Sequence, residues 1–439
     1  MSFLRSKYNI YVKDGKDLLI YNSLKGLQSL CKINKTTHKE LYDCIDRNDN
    51  IGINKCYDEL LEKRILYDET FDEDSYRKLI TNQSLYNSGV NLIILPTEKC
   101  NFRCTYCYET FEKPRMSEKT IKNLKGFLSR HIHSFQKLNL DWFGGEPLCA
   151  YEIIEDIMKF CKALTKKTGV PVVSTMTTNG YLLTPDVIRT LISLNVVGYQ
   201  VTIDGIEQIH NSQRQLKNGE GTFKTIVTNL NGIKREIRSG VLNICIRVNL
   251  SERSIKCCPD FFLFLKEHFE DDERFSLSLR YVRDLKGNGL TDNIIDDDSV
   301  MLEVYHMAAQ FIPRLLSSHF LNMLNSTGGC YAGKPNSFVV GADGTIYKCT
   351  VHFKEEINII GKLENNDLSI NEDKASIWVY SRSNNECNNC WYRGGCYDGS
   401  CPYSALINPN KKSCPFEKTH INYILRFLNS NRIIKEIHT

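Results

Sequence analysis

No stretch of this sequence approaches the roughly 18 consecutive apolar residues that a membrane-spanning helix requires. The opening Met-Ser-Phe-Leu-Arg-Ser-Lys-Tyr holds no apolar run of the signal-peptide kind. Charge of one sign is missing too: 56 Lys+Arg stand against 52 Asp+Glu, a net +4 over 439 residues. So small an excess argues against a dedicated nucleic-acid or membrane-surface role. There is no GxGxxG turn, phosphate loop or Ser-His-Asp order to support a dehydrogenase, kinase or hydrolase. The expectation is a cytoplasmic protein whose partners are recognised at specific sites.

What the chain does have is cysteine, 18 residues or roughly 4%. That is far below the about 8–10% of a small disulfide scaffold, and a chain this long can bury its own core. In a reducing cytosol, closely spaced cysteines point to metal ligation or catalysis. Their placement is uneven. Cys100, Cys104 and Cys107 are bunched, and seven more lie between Cys330 and Cys414. Cys31, Cys44, Cys56, Cys149, Cys161, Cys245 and the Cys257–Cys258 pair match no ligand spacing and read as small buried hydrophobes.

Residues 1–88 open with an apolar run at Tyr8–Val12, an Asp14-Gly15 turn and a second run at Leu18–Tyr21, the pattern of a hairpin. Helical faces follow at Leu41, Cys44 and Ile45, and at Ile53, Tyr57, Leu60 and Ile65. The module looks like a winged helix, or is a cap on the next domain. From about residue 90 strand and helix alternate, with strands at 92–95, 138–143, 172–177, 197–203, 243–250 and 275–282. Ser117 and Thr184-Pro185 open two of the helices. Six such units imply a parallel sheet with helices outside, barrel-like or doubly wound. Acidic runs at Glu270–Glu273 and Asp292–Asp298 read as solvated loops. After Gly328 periodicity is weak, and metal rather than a hydrophobic core is expected to organise the chain.

The first cysteine group, Cys100-Asn101-Phe102-Arg103-Cys104-Thr105-Tyr106-Cys107, follows a strand end, where a parallel barrel keeps its chemistry. Structural zinc takes four protein ligands, whereas these three thiolates have no fourth in reach along the chain. An iron–sulfur cubane on three thiolates would leave one iron free for a ligand.

This C-x3-C-x-Tyr-C arrangement resembles the defining motif of the radical S-adenosylmethionine enzymes. In that family S-adenosylmethionine chelates the free iron and, once reduced, yields a 5′-deoxyadenosyl radical that abstracts hydrogen. Other segments are similar to family motifs: Gly144-Gly145-Glu146-Pro147, Thr178-Asn179-Gly180 and Thr202-Ile203-Asp204-Gly205 followed by Arg214, with Thr202 where Ser is usual. The resemblance implies that Cys100, Cys104 and Cys107 are catalytic cluster ligands. It also implies that Tyr106, Gly144, Gly145, Glu146, Asn179, Thr202 and Arg214 bind the cofactor, Glu146 through the methionine ammonium. Arg247, on the fifth strand, is a further candidate, or half of an ion pair inside the barrel.

The C-terminal set runs Cys330, Cys349, Cys387-x2-Cys390-x5-Cys396-x4-Cys401 and Cys414. It resembles the SPASM extension of peptide- and protein-modifying radical enzymes, although the last spacing is x4 where x3 is usual. There, Cys387, Cys390, Cys396 and Cys414 would hold a distal auxiliary [4Fe–4S] cluster, and Cys330, Cys349 and Cys401 a proximal one with a ligand vacant. The resemblance thus implies an α/β fold: a partial (βα)6 TIM-like barrel with an N-terminal winged-helix-like module and a C-terminal Cys-rich iron–sulfur domain. Its expected division is a leader-recognition module (1–88), the barrel (89–300), a bridging helix (301–328), the SPASM domain (329–420) and a C-terminal helix (421–439).

The implied cofactors are S-adenosylmethionine and three [4Fe–4S] clusters. The implied partners are a Cys-containing precursor peptide, its leader held at the module's sheet edge, and a flavodoxin- or ferredoxin-type electron donor, with neither nucleic acid nor membrane. The leading expectation is a peptide maturase that installs thioether links of the sactipeptide or ranthipeptide kind. Alternatives are an anaerobic sulfatase maturase forming formylglycine, a carbon–carbon cross-linking maturase, and a metal-bearing scaffold or electron carrier.

Overall fold

The computed structural model describes residues 3–47, 57–86, 89–109, 111–113, 115–238, 240–282, 297–325, 329–379, 387–396, 401–408 and 414–438. Ile53, Cys56, most of the acidic run Asp292–Asp298 and residues 397–400 before Cys401 lie outside them. The chain forms two compact units. One comprises Met1–Asn87, Ser317–Lys334 and Trp378–Thr439, the other Ser88–Leu316 and Pro335–Ile377.

The second unit contains the six expected strands: β1 (Gly89–Ile94), β2 (Lys137–Trp142), β3 (Val172–Thr178), β4 (Val196–Thr202), β5 (Asn243–Leu250) and β6 (Phe275–Tyr281). Neighbours are parallel in the order β6-β5-β4-β3-β2-β1. Between them run helices over Glu118–His131, Tyr151–Thr168, Pro185–Ser193, Phe223–Glu236 and Cys258–Phe269. Ser117 and Thr184 cap their helices by accepting from the backbone N–H of Thr120 and Val187.

The sheet then continues past β1. β7 (Ser337–Val340) adds parallel to β1, and β8 (Thr345–Tyr347), β9 (Ile359–Glu364) and β10 (Asp367–Ile370) extend it antiparallel. This corrects the expectation that metal alone organises the region after Gly328. Val339, Val340, Ile346, Ile360 and Leu363 give residues 337–370 a buried apolar face. Strands of three to six residues are too short to display a period of two clearly. The expected bridging helix is two helices, Asp298–Phe311 and Pro313–Leu324, because Pro313 lacks an N–H and drives Ile312 out of helical geometry.

Parallel strands buried on both faces read as continuous apolar runs, but β2–β6 alternate. Leu138, Leu140, Val172, Met176, Tyr199, Val201, Ile244, Ile246, Leu277 and Leu279 are buried on one face. The other face presents Asn139, Asp141, Thr175, Thr177, Gln200, Cys245, Arg247, Ser276, Ser278 and Arg280, all partly or fully exposed. This polar face is a lined surface, and among the described residues its side chains keep partial exposure.

In the first unit, strands Asn9–Asp14 and Asp17–Asn22 form the expected hairpin, closed at Asp14–Asp17 with Gly15 at φ +59°. A third strand, Gly26–Asn34, was not foreseen. Helices Lys39–Arg47 and Tyr57–Glu62 bury Leu41, Ile45 and Leu60 against Ile20, Cys31 and Ile33. The outer edge of the third strand is already occupied at Lys32. Its N–H donates to the Lys435 carbonyl, its carbonyl accepts from Ile437 N–H, and the Ile437 side chain is buried in the same cluster. The C-terminal helix is accordingly shorter than expected, spanning Ile421–Ser430. Among the described residues no helix is long and apolar enough to cross a membrane.

Candidate active site

The cysteine loop grows from the C-terminal end of β1, and its base is clamped by the segment that follows β2. Gly145 N–H donates to Thr97 O at 3.3 Å and Glu146 N–H to Lys99 O at 3.0 Å. A Cβ on Gly144 would strike Thr97 O, and one on Gly145 would strike the carbonyls of Glu98 and Lys99. The close approach these glycines permit is therefore of backbone to backbone. The Glu146 carboxylate is fully buried and accepts from Leu148 N–H (3.0 Å), Thr178 Oγ1 (2.7 Å) and Asn179 N–H (2.7 Å). Burial nonetheless pushes its pKa up. Asn179 in turn donates through Nδ2 to Asn101 Oδ1 at 2.8 Å and toward Cys100 Sγ at 3.9 Å. Glu146, which the resemblance assigns to the methionine ammonium, ties the ends of β2 and β3 together through these bonds, and Asn179 passes that order to the loop.

A second network holds the far side of the loop. Phe102–Cys104 pairs antiparallel with Arg214–Leu216, Cys104 opposite Arg214. The Tyr106 hydroxyl donates to Asp204 Oδ2 and accepts from Arg214 Nη1 at 2.8 Å and Asn249 Nδ2 at 3.2 Å. Asp204 Oδ1 accepts from Asn249 N–H (2.7 Å) and Nδ2 (3.2 Å), and its carboxylate lies 3.9 Å from Arg214. Burial raises the pKa of Asp204 against the pull of Arg214, and raises Tyr106 as well. Burial opposes the Arg214 charge, but Tyr106, Cys104 and Asp204 outweigh it. His210 accepts from Asp204 N–H at Nδ1 (3.2 Å), so its Nε2 carries the proton toward Thr222 Oγ1 (3.1 Å), which donates to Arg214 O at 2.6 Å. Burial keeps His210 neutral. Thr202 is buried at the end of β4, opposite Arg247 of β5.

Cys100, Cys104 and Cys107 are half-buried on this loop, and burial pushes the first two thiols up. Cys104 and Cys107 both bear on the charge of Cys100. Among the described residues, no three Cys, His, Asp or Glu side chains are gathered closely enough to hold a single ion. A cubane spaces its thiolates more widely than one ion does, and an all-thiolate donor set suits it. The buried Arg214 Nε has no hydrogen-bond partner among the described residues, a donor left for something the loop binds. Residues 94–255 match the description of the Radical SAM superfamily.

The chain contains a radical SAM domain. It is an enzyme of that class, with S-adenosylmethionine and a [4Fe–4S] cluster as its cofactors. It is similar along almost its whole length to the radical SAM cyclopropyl synthase TigE of Paramaledivibacter caminithermalis, at 23% identity over 96% of this chain and 95% of that protein. A cysteine-type anaerobic sulfatase-maturating enzyme of Clostridium novyi is 25% identical over 70% of this chain and 88% of its own. Two solved structures share the fold. Native anSMEcpe with bound AdoMet has a TM-score of 0.59 and 18% identity, over 78% of this chain and 99% of that one. Streptococcus suis SuiB bound to precursor peptide SuiA has a TM-score of 0.52 and 14% identity, over 94% and 98%.

Of the C-terminal cysteines, Cys414 Sγ lies 3.2 Å from the Lys418 ammonium, whose charge is favoured by that bond and by the fields of Cys390, Cys414 and Cys387. Cys396 ends the short helix Arg393–Cys396, and Cys401 accepts from Ser404 N–H at 3.5 Å. Cys330 precedes the turn Tyr331–Gly333 in the first unit. Cys349 belongs to the second unit, where the buried Asn358 fixes its turn by accepting from Cys349 N–H at 2.8 Å and donating to Cys349 O at 2.9 Å. Of the remaining thiols, Cys31, Cys161 and Cys258 are buried and pushed up to about 12 by burial, as core residues would be. Cys245 instead lies on the polar face. Sequence reasoning assigned no role to Asn101, His210 or Asn249. No spacing marks them, because loops distant in sequence bring them to the site.

Proposed function

We propose that the chain is a peptide maturase that joins a cysteine sulfur to a carbon of a ribosomally made precursor. The observation that carries this reading is the polar, accessible face of β2–β6 leading to the cysteine loop: a surface lined by amides, hydroxyls and charges suits a peptide. Bound at the loop, a [4Fe–4S] cluster and S-adenosylmethionine would supply a 5′-deoxyadenosyl radical able to take a hydrogen atom. Cys100, Cys104 and Cys107 are its ligands in this reading. Asn179, Thr202 and Arg214 face the cofactor, while Gly144, Gly145 and Glu146 hold the loop's base and Tyr106 its far side. Cys387, Cys390, Cys396 and Cys414 form one auxiliary cluster site of a SPASM-type domain. Cys330, Cys349 and Cys401 form another, with a position open to the substrate thiol.

Thioether formation removes two hydrogens from the peptide, one as an atom and one as a thiol proton, and releases one electron, for which a cluster held by the C-terminal cysteines would be the acceptor. Residues 1–88 are read as the leader-binding module. The edge of Gly26–Asn34 is taken at Lys32, so a leader would add beside its earlier residues or displace 435–437. That SuiB is bound to a precursor peptide favours this class of partner, and a flavodoxin- or ferredoxin-type donor would deliver the electrons.

The full-length likeness to a cyclopropyl synthase favours a second reading, carbon–carbon bond formation within the peptide. Co-expression with a Cys-containing precursor, followed by mass spectrometry and thiol alkylation, separates the readings. A thioether gives a loss of two hydrogens and a cysteine that resists alkylation, and carbon–carbon bonding gives the same loss with the thiol still alkylated. Loss of the sulfur itself would point to formylglycine and end both.

A further inference from the structure

Arg247 and Arg280 lie on adjacent parallel strands of the polar face, Arg247 in register with Ser278 and Arg280 with Asn249. They are diagonal neighbours on one face, within reach of each other for side chains of this length. Both guanidinium groups act on the Cys245 thiol of the same face, and Arg247 is disfavoured first by burial and then by Arg280. Arg247 Nε is held by Asn249 Oδ1 at 2.9 Å, which ties the pair to the Tyr106 network. Asp204 is the carboxylate that acts on Arg247. Its oxygens are committed to Tyr106 and Asn249, with Arg214 at 3.9 Å. Among the described residues, neither Arg247 nor Arg280 forms an ion pair. Two like charges on neighbouring strands, one of them half-buried and neither ion-paired among the described residues, are unfavourable unless an anion joins them.

We propose that Arg247 and Arg280 clamp a carboxylate of the substrate, an acidic side chain or a terminal carboxylate, at the end of the polar face next to the cysteine loop. Two planar forks suit a carboxylate, which can accept from both. The clamp rests on the peptide reading and adds a specificity to it: the modified residue lies next to an acidic group.

The test uses the full chain, reconstituted anaerobically with iron and sulfide and loaded with S-adenosylmethionine. Two pools of capped, amidated hexapeptides with a central Cys are passed over it, one with Glu flanking the Cys and the other with Gln. The expected result is at least tenfold greater retention of the Glu pool by the wild type. That preference should fall to parity in Arg247→Gln/Arg280→Gln and drop sharply in Arg280→Gln, whose affinity for S-adenosylmethionine should stay within twofold of the wild type. A third pool with Gln flanks and a free C-terminus separates a terminal carboxylate from a side chain. Equal retention of all pools overturns the clamp while keeping the peptide reading, as does a Glu preference that survives in the variant. A tenfold loss of S-adenosylmethionine affinity would assign the pair to the cofactor and also overturn the clamp. If no pool is retained while S-adenosylmethionine is still cleaved, the peptide reading fails and the clamp with it. Arg280→Gln alone, at an exposed position, guards against misfolding and should remove most of the preference.

Discussion

Replacing Tyr106 by Phe removes one oxygen from the centre of the loop's polar network. Its hydroxyl donates to Asp204 and accepts from Arg214 and Asn249. Hydrogen bonds to charged groups contribute about 1.5–3 kcal/mol each, and a buried partner left unsatisfied costs about 1–3 kcal/mol. Some of the loss is recoverable, because Arg214 and Asp204 are already 3.9 Å apart and can close on one another. The net expectation is a destabilisation of about 2–3 kcal/mol, which for a unit of this size lowers Tm by about 4–12 °C. Anaerobic urea unfolding of the cluster-free chain reads it directly. In a double-mutant cycle with Asp204→Asn the two losses should fail to add by about 1 kcal/mol or more. A Tyr106→Phe effect below about 0.5 kcal/mol, or strict additivity, would refute the claim that this hydroxyl organises the loop.

Other positions give equally specific outcomes. Gly145→Ala forces a methyl into the carbonyls of Glu98 and Lys99. It should cost about 3 kcal/mol or more and abolish the charge-transfer absorption of the loop cluster on reconstitution. Glu146→Gln puts an amide among three donors and should destabilise by about 2–3 kcal/mol, measured by urea unfolding. Burial pushes Asp343 up, but Lys113 at 2.9 Å and the bonds from Thr345 outweigh it and leave the carboxyl at about 2. Its folded pKa lies below the ordinary value, so its contribution is present above that value and fades as pH falls toward 2. Asp343→Asn should therefore cost about 0.5–1 kcal/mol at neutral pH, since the pair is partly solvated, with the difference from wild type shrinking through that window. Lys418→Met removes a positive charge beside Cys387, Cys390 and Cys414. Redox titration followed by paramagnetic resonance should show one auxiliary cluster's midpoint falling by on the order of tens of millivolts.

Strands β1–β6 were legible because the apolar runs alternate with helical patterns, two of them opened by the caps Ser117 and Thr184, and the hairpin was legible because Asp14-Gly15 dictates a tight turn. The strand Gly26–Asn34 was hidden: Ser29 occupies a buried position among Cys31 and Ile33 and breaks the apolar alternation, made tolerable by its bonds to Asn22 and Gly26. β7–β10 escaped notice because strands of three to six residues are too short to show a clear period of two. At the site, the cysteine and glycine motifs were visible as spacings, but what Gly144, Gly145 and Glu146 touch was not, since Thr97–Lys99 meets them only once β1 and β2 pair. Asn249 and His210 carry no signal that separates them from any other polar residue on a strand or helix.

The central claim is that the Cys100–Cys107 loop holds a cluster that cleaves S-adenosylmethionine. Anaerobically reconstituted full chain, reduced with dithionite and supplied with S-adenosylmethionine, is to be assayed for 5′-deoxyadenosine by liquid chromatography and mass spectrometry. The wild type should form it, and Cys104→Ala should form none while retaining the iron bound by the C-terminal cysteines. Equal 5′-deoxyadenosine from the two proteins, or none from the iron-replete wild type, would contradict the account.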